Sequence, residues 1–235
     1  MSYALIGDIH SMGQQLSEAL RICQERGLTP VFLGDIFDSR AENSETLYVY
    51  HRLKLAEKEM GAIILNSNHQ DRFMEFAKGN TESPVYTSET WRTMDEFDEA
   101  GVELSAVSEW LSQFPEGFIF KSSNGTEYRC AHAYFPTDFR GKIDADGYCY
   151  AEDDEQKEMM LWGLMTPTHR RRVRWWHDDT QRTWVRAAGH YHCVEAYGKN
   201  LVLDANCGFD GGELAIYDVD AEELILIPHL TNGDA

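Results

Sequence analysis

Long hydrophobic runs are missing from this sequence of 235 residues. No stretch approaches the roughly 20 consecutive apolar residues that a membrane-spanning helix needs. The chain also does not open with a basic segment followed by an apolar one, as a secretory signal would. We therefore expect a soluble, cytoplasmic protein that does not enter a membrane.

Closely spaced cysteines are also missing. The five cysteines are scattered without a Cys-x-x-Cys pair, and their number is odd. Zinc ribbons and disulfide frameworks are built from such pairs, so both are disfavoured. We expect reduced thiols, as in the cytosol.

Positive charge is scarce as well, since 21 lysines and arginines face 40 acidic residues and the formal net charge is -19. Such a surface repels phosphate backbones at long range, which argues against stable nucleic-acid binding. The main basic cluster, which is either a solvated helix face or a local anion site, contains Arg170, Arg171, Arg172 and Arg174.

Apolar and aromatic residues are abundant enough for a sizeable core, with 43% hydrophobic residues. Short apolar runs at 3–6, 31–33 and 62–65 predict strands, and helical periodicity predicts helices over 12–26 and 45–60. Strands that alternate with helices predict a parallel α/β half with right-handed crossovers.

The rest of the chain has a mixed pattern, which predicts one domain over 1–235 with a helical insertion at about 71–114 and an irregular insertion at about 138–180. Helical stretches are expected near 156–162 and 168–177. An Asn124-Gly125 turn predicts a hairpin. The expected strands are 118–120, 126–131, 184–188, 201–204, 213–217 and 224–227.

Polar side chains follow the predicted strands. An aspartate directly after a strand is, taken singly, more often a turn or a helix cap. Here the pattern recurs, and the candidate metal ligands are Asp8, His10, Asp35, Asn68, His132 and His190, with His192 as a seventh. Mixed carboxylate, imidazole and amide donors suit Mn, Fe, Zn, Ni or Co. Asp35 could bridge two ions about 3.5–4 Å apart, a spacing suited to phosphoryl displacement.

Four motifs, in this order, resemble the calcineurin-like metallophosphoesterases: Gly7-Asp8-Ile9-His10, Gly34-Asp35-Ile36-Phe37-Asp38, Asn68-His69 and Gly189-His190. Within that superfamily the chain is most similar to serine/threonine phosphoprotein phosphatases of bacterial and phage type and to diadenosine tetraphosphate hydrolases. The resemblance covers nearly the whole chain. It implies a four-layer α/β/β/α sandwich with mixed sheets.

The resemblance also implies roles for individual residues. Asp8 and His10 would bind a first divalent ion, Asp35 would bridge, and the second ion would be held by Asn68, His132 and His190. His192 matches a further ligand position of the wider superfamily. Manganese is the expected metal, with Fe, Zn, Ni and Co as alternatives. His69 would be the general acid, Asp38 would hold its imidazolium, and Arg40 would grip phosphate oxygens.

The sequence departs from the family pattern at several positions. In the related phosphatases an arginine directly follows the last aspartate of the second motif. Here Ser39 occupies that position, and Arg40 comes one residue later. Ser67 and Gln70 replace a glycine and an acid around Asn-His. The arginine expected near Trp162 is absent, and the cluster from Arg170 to Arg174 is offered in its place.

The implied function is hydrolysis of phosphomonoesters, on phosphoproteins or small phosphoesters, by attack of a metal-bridging hydroxide. Two enzymatic alternatives remain: a dinucleoside polyphosphate hydrolase and a nucleic-acid-end phosphatase or phosphodiesterase. An inactive phosphatase fold that serves as a binding module is an alternative of another class. Such a module should have lost ligands or His69, and the sequence retains them.

Overall fold

Two β-sheets organise the protein, whose computed structural model describes residues 2–80, 87–164, 175 and 182–229. The first sheet has the strand order β12-β11-β1-β2-β3, and its strands are β1 (Ser2–Ile6), β2 (Leu28–Phe32), β3 (Ile63–Ile64), β11 (Leu214–Asp218) and β12 (Glu223–Ile227). Parallel pairs join β1 to β2 and β2 to β3, whereas β11 pairs antiparallel with both of its neighbours. This sheet is therefore mixed.

The second sheet is also mixed, with the order β6-β7-β4-β5-β8-β10-β9. Its strands are β4 (Gly117–Lys121), β5 (Glu127–Ala131), β6 (Lys142–Ile143), β7 (Tyr148–Tyr150), β8 (Val185–Ala188), β9 (Val194–Tyr197) and β10 (Asn200–Leu203). The pairs β5–β8 and β8–β10 are parallel, and the other pairs are antiparallel.

Six helices lie within the described residues: α1 (Gly13–Arg26), α2 (Thr46–Met60), α3 (Asn68–Ala77), α4 (Ser88–Glu99), α5 (Leu104–Leu111) and α6 (Asp154–Trp162). Both α1 and α2 end at a glycine in the left-handed conformation, which a residue without Cβ adopts readily. No helix in this part of the chain combines the length and apolar composition that crossing a membrane would require.

The core has layers that follow from the alternation of side chains along the strands. Ile6 and Phe32 of the first sheet belong to a buried cluster with apolar residues of α1 to α5. Leu5 and Val31 point to the opposite face and pack in a cluster with residues of the second sheet. On that sheet's outer side, Met160 of α6 joins another buried cluster. The molecule is thus the predicted four-layer α/β/β/α sandwich.

The parallel register brings the predicted motifs to one edge. Ile6 lies opposite Phe32, and Phe32 opposite Ile64, so β1, β2 and β3 end side by side. The loops that follow therefore leave the sheet together, at the carboxyl ends where open α/β sheets place their ligands.

Some boundaries differ from the sequence prediction. The insertion at 138–180, expected to be irregular, contains β6 and β7, which pair with each other and with β4. These short strands form because they pair at the edge of the sheet, and their sequence has no apolar pattern that would predict them. Strand β9 was not predicted, and α3 begins at Asn68 rather than near 71. The helix expected over 168–177 lies outside the described residues except for Trp175, and the single-domain assignment stays a prediction.

Candidate active site

The loops after the strands hold several side chains on a left-handed backbone. Eight non-glycine residues in the described part have positive φ, and five of them are predicted site residues: His10 (47°), Asp35 (37°), Asp38 (66°), His190 (70°) and His192 (53°). Non-glycine residues adopt this region rarely, and such outliers concentrate at functional sites. The chain therefore keeps a costly backbone conformation where its candidate ligands lie.

Two glycines of the motifs allow close approach. Gly34 has φ of +123°, and a Cβ there would lie 2.5 Å from His132 Nδ1. A Cβ on Gly189 would lie 1.9 Å from Asp8 Oδ1. Both distances are impossible for a real Cβ, so a side chain at either position would displace a candidate ligand.

The candidate ligands converge in two buried groups that share Asp35. The donor atoms within each group lie within 4.8 Å of one another; the groups are Asp8, His10 and Asp35, and Asp35, His132 and His190. Asn68 adjoins the second group, because its Oδ1 atom lies 2.8 Å from His132 Nε2. The structure thus brings together the six side chains that follow the predicted strands.

Backbone contacts orient two of the imidazoles. His10 Nδ1 lies 3.0 Å from the carbonyl oxygen of Phe37, and His132 Nδ1 lies 3.0 Å from that of Leu33. Donation through Nδ1 turns Nε2 toward the cluster, where it lies 3.8 Å (His10) and 3.3 Å (His132) from Asp35 Oδ2. This is the arrangement by which proteins fix the tautomer of a metal-binding histidine.

The donor set fits divalent cations. Asp8 Oδ1 and Asp35 Oδ1 are buried without a hydrogen-bond partner among the described residues, which is costly for a carboxylate oxygen. Burial raises the pKa of Asp8 well above its usual value, and the charges of Asp204 and Asp35 raise it further. A cation between these carboxylates would relieve both costs, and mixed oxygen and imidazole donors suit transition metals.

Asp35 stays ionised despite its burial. Burial by itself would raise the pKa of this carboxyl group, but the imidazoles of His132 and His69 outweigh it and hold the pKa well below its usual value. The shared residue is therefore a charged carboxylate that faces both groups of donors.

His69 and Asp38 form a hydrogen-bonded pair beside these groups. His69 Nδ1 lies 2.8 Å from Asp38 Oδ2, and His69 Nε2 lies 3.8 Å from Asp35 Oδ2. Burial would lower the pKa of His69, but the charge of Asp35 and the hydrogen bond to Asp38 raise it overall. This geometry is the one expected for a protonated imidazole held by a carboxylate.

Arg40 lies at the rim of the pocket. Its Nε atom is 2.8 Å from Glu89 Oε1, its guanidinium lies 4.8 Å from the Phe209 ring centroid, and its side chain is 62% exposed. Ser39, by contrast, is buried, and its hydroxyl donates to the carbonyl oxygen of Gly208 at 3.2 Å. Ser39 therefore holds the loop, and the arginine one residue later reaches the pocket.

The changes around Asn-His have a local explanation at the start of α3. Ser67 is the N-cap residue, and its hydroxyl accepts a hydrogen bond from the Gln70 backbone N–H. The Gln70 side chain contacts the same hydroxyl and donates to the carbonyl oxygen of Leu65 at 3.0 Å. These contacts cap the first turn of α3 and tie it to the preceding loop, so Ser67 and Gln70 orient the helix that carries Asn68 and His69.

His192 lies outside the two groups of donor atoms described above. It is half exposed and lines the pocket, with its ring 5.3 Å from that of Phe209. Its backbone N–H donates to Asp204 Oδ2 at 2.6 Å, and Asp204 Oδ1 accepts from the Asn206 backbone N–H at 3.0 Å. Asp204 therefore fixes the loop on which His190 and His192 are carried.

Several residues around the pocket were not predicted from the sequence. Arg72, Glu89, Thr90 and Phe209 all contribute to the site or its rim. Arg72 follows His69 by three positions on α3, and this spacing on one helical face could have revealed it. No such signal exists for Thr90, whose only link to the motifs is spatial. The arginines from Arg170 to Arg174 lie outside the described residues.

The pocket itself is small and highly charged. It has a volume of about 180 Å³. The described residues that line it carry carboxylates, imidazoles and the guanidinium groups of Arg40 and Arg72. Pockets for larger organic ligands typically occupy about 300–1,000 Å³, so this one suits a phosphoryl group with its counter-ions.

Comparison with solved structures identifies several proteins of similar architecture. A protein provisionally named a diadenosine tetraphosphatase aligns with a TM-score of 0.58 at 20% identity, over 99% of this chain and 95% of that one. A serine/threonine phosphatase from Saccharomyces cerevisiae aligns with a TM-score of 0.55 at 14% identity, over 100% and 82% of the two chains. A cold-active protein tyrosine phosphatase of a psychrophilic Shewanella species gives 0.53 at 14% identity, over 96% and 80%.

Sequence comparison adds nothing to these structural matches. No protein-family model matches the chain, and no curated protein matches its sequence significantly. The structural likeness, together with the two mixed sheets, shows that the chain has the fold of the calcineurin-like metallophosphoesterases.

Proposed function

We propose that this protein is a metal-dependent phosphoesterase that hydrolyses phosphomonoesters, with phosphoproteins or small phosphoesters as substrates. The observation that carries the proposal is the pair of buried donor groups that share Asp35, next to the His69–Asp38 pair. The fold supports this proposal, since three proteins of similar architecture bear phosphatase names.

The residues would hold two divalent cations. Asp8 and His10 would bind the first, Asp35 would bridge, and Asn68, His132 and His190 would bind the second. Such ions supply an activated water and neutralise the charge that develops on the phosphoryl oxygens. Manganese is our first choice, and Fe, Zn, Ni and Co share the same donor preferences.

The chain's own side chains would complete the reaction. His69 Nδ1 is engaged by Asp38, so Nε2 is the atom that would give a proton to the leaving oxygen. Arg40 would bind phosphate oxygens from the rim, since a planar guanidinium matches their geometry. His192 lies at the same rim and would be available to a ligand there.

A dinucleoside polyphosphate hydrolase is the second candidate. Phe209 lines the pocket and could stack on a nucleobase, and one protein of similar architecture is named a diadenosine tetraphosphatase. A binding module without activity is disfavoured, because the candidate ligands and His69 are all present and converge. The net charge of -19 disfavours tight binding of a long nucleic acid but leaves a short RNA end as a candidate substrate.

The proposal is tested by metal removal and reloading. Chelator-treated protein should lose hydrolysis of p-nitrophenyl phosphate and regain it with Mn²⁺. Parallel assays with bis-p-nitrophenyl phosphate, a phosphopeptide and diadenosine tetraphosphate rank the alternatives. Preference for the diester would identify a phosphodiesterase, and preference for the tetraphosphate would establish the second candidate. Hydrolysis of none of them by the Mn-loaded protein would contradict an enzymatic function.

Substitution of the shared ligand separates the metal site from general stability. Asp35→Ala should remove both ions, because Asp35 belongs to both donor groups. Elemental analysis and the thermal shift caused by Mn²⁺ measure this independently of activity. Asp218→Ala is the control, since Asp218 is also buried but pairs with Arg26 at 3.3 Å rather than with the donor groups. Two bound ions in Asp35→Ala would refute the bridging role.

A further inference from the structure

We propose that Arg72 is a second phosphate-binding residue of this pocket, in addition to Arg40. The proposal rests on the phosphoesterase function above and names a residue that the sequence motifs do not mark. Arg72 lies on α3 three residues after His69, and its Nη1 atom is 3.5 Å from His69 Nε2. The guanidinium therefore lies next to the atom that would protonate the leaving group.

An aromatic ring supports this arginine. The guanidinium carbon of Arg72 lies 4.8 Å from the centroid of the Trp162 ring, at the end of α6. Stacking uses the flat face of a guanidinium, whereas its N–H donors lie on the edge. An arginine braced in this way loses less rotational freedom when its edge binds an anion.

A salt bridge connects the two helices beside this contact. Lys157 Nζ of α6 lies 2.9 Å from Asp71 Oδ1 of α3, directly next to Arg72 in the chain. The pair joins α6 to α3 close to the contact between Trp162 and Arg72. The Trp162 ring is therefore in contact with an arginine that belongs to another helix.

A second guanidinium adds positive charge to a pocket whose lining is rich in carboxylates. Its lining includes Asp8, Asp35, Asp38 and Asp204, and Arg40 is paired with Glu89 at the rim. Part of the positive charge of Arg40 is therefore compensated before a substrate arrives. A dianionic phosphate gains a further guanidinium from Arg72, which lines the same pocket.

Calorimetric binding of inorganic phosphate to the Mn-loaded protein tests the proposal without turnover. Arg72→Ala should weaken phosphate binding about 10- to 100-fold, the loss expected for a hydrogen bond to a charged group. The phosphate affinity of Arg72→Lys should lie between that of Arg72→Ala and that of the wild type, because lysine keeps the positive charge and lacks the planar set of N–H donors of a guanidinium. Trp162→Leu should weaken binding about threefold or more by releasing the guanidinium.

Arg140→Ala is the matched control. Arg140 forms an exposed pair with Asp153 at 3.2 Å and does not line the pocket. Its loss should leave the affinity for phosphate within about twofold of that of the wild type. The metal content of every variant should equal that of the wild type. If Arg72→Ala does not fold, Arg72→Lys and Trp162→Leu decide the question. Phosphate affinity of the Arg72 variants equal to that of Arg140→Ala would overturn the proposal.

Kinetics distinguish failure of this inference from failure of the proposed function. In an active enzyme, Arg72→Ala should raise KM for p-nitrophenyl phosphate by about the same factor as it weakens phosphate binding. If the wild type is active and Arg72→Ala has the same KM and the same phosphate affinity, the role of Arg72 is refuted and the proposed function stands. An inactive wild type with weakened phosphate binding in Arg72→Ala would refute the enzymatic function and leave an anion site.

Discussion

Asp38 connects several side chains near the centre of the site. Its Oδ2 atom accepts hydrogen bonds from His69 Nδ1 at 2.8 Å and from Thr90 Oγ1 at 3.0 Å. Burial would raise the pKa of Asp38, but the hydrogen bond and charge of His69 outweigh it, so the pKa is lowered. The carboxylate is thus ionised and fixed, and the imidazole it holds has one orientation.

Loss of this imidazole should affect turnover and leave the metals in place. His69→Ala should lower kcat by about 10²- to 10⁴-fold, the usual contribution of a general acid. Elemental analysis should still find two ions, because His69 belongs to neither donor group. A variant that lost metal and activity in parallel would show instead that His69 is a ligand or a structural residue.

The site could be predicted at this scale wherever a residue follows a strand. Asp8, Asp35 and Asn68 come two or three residues after buried apolar runs. Because parallel strands end at one edge of a sheet, the convergence of these residues follows from topology. Arg72 could have been found from its helical spacing to His69. Thr90 could not, since 52 residues separate it from Asp38 and only the packed helices bring them together.

At the scale of elements, the first turn of α4 organises two parts of the site. Glu89 pairs with Arg40, and Thr90 donates to Asp38. The sequence predicts only a helical insertion here and gives it no role. Its amphipathic pattern reveals that Phe97 is buried in the core, but it does not reveal which polar residues face the pocket.

Removal of one hydroxyl tests this role of α4. Thr90→Val keeps the side-chain shape and loses the hydrogen bond to Asp38, so kcat should fall about 3- to 10-fold, with KM unchanged. In an Asp38→Ala background the same substitution should have little further effect, because the oxygen that accepts the hydrogen bond is gone. Equal losses in both backgrounds would mean that Thr90 acts through helix packing.

In the sheets, too, some strands are predictable from their own sequence and others form only through pairing with distant segments. Strands β1 and β2 are predictable because each is a short apolar run bounded by turn signals. The hairpin of β4 and β5 follows from the Asn124-Gly125 turn. Strands β6 and β7 have no such signal, and Ile143 is half exposed, so only pairing at the edge of the sheet orders them.

For the molecule as a whole, the formal net charge of -19 opposes the approach of phosphorylated substrates. Salt screens this repulsion over a Debye length that shrinks to about 10 Å at 0.1 M. Raising NaCl from about 10 to 150 mM should therefore increase kcat/KM, more for diadenosine tetraphosphate than for p-nitrophenyl phosphate. A decrease with salt for both substrates would show that attraction by the pocket arginines dominates the encounter.

The left-handed residues of the ligand loops have a consequence for how this protein could change. Glycine at Asp35 or His190 would relax the backbone, since glycine adopts positive φ at little cost. Selection for thermal stability alone would therefore favour the replacement of those side chains by glycine. Only continued demand for the chemistry would preserve them, so laboratory evolution that ignores turnover should erase this pocket before it disturbs the sandwich around it.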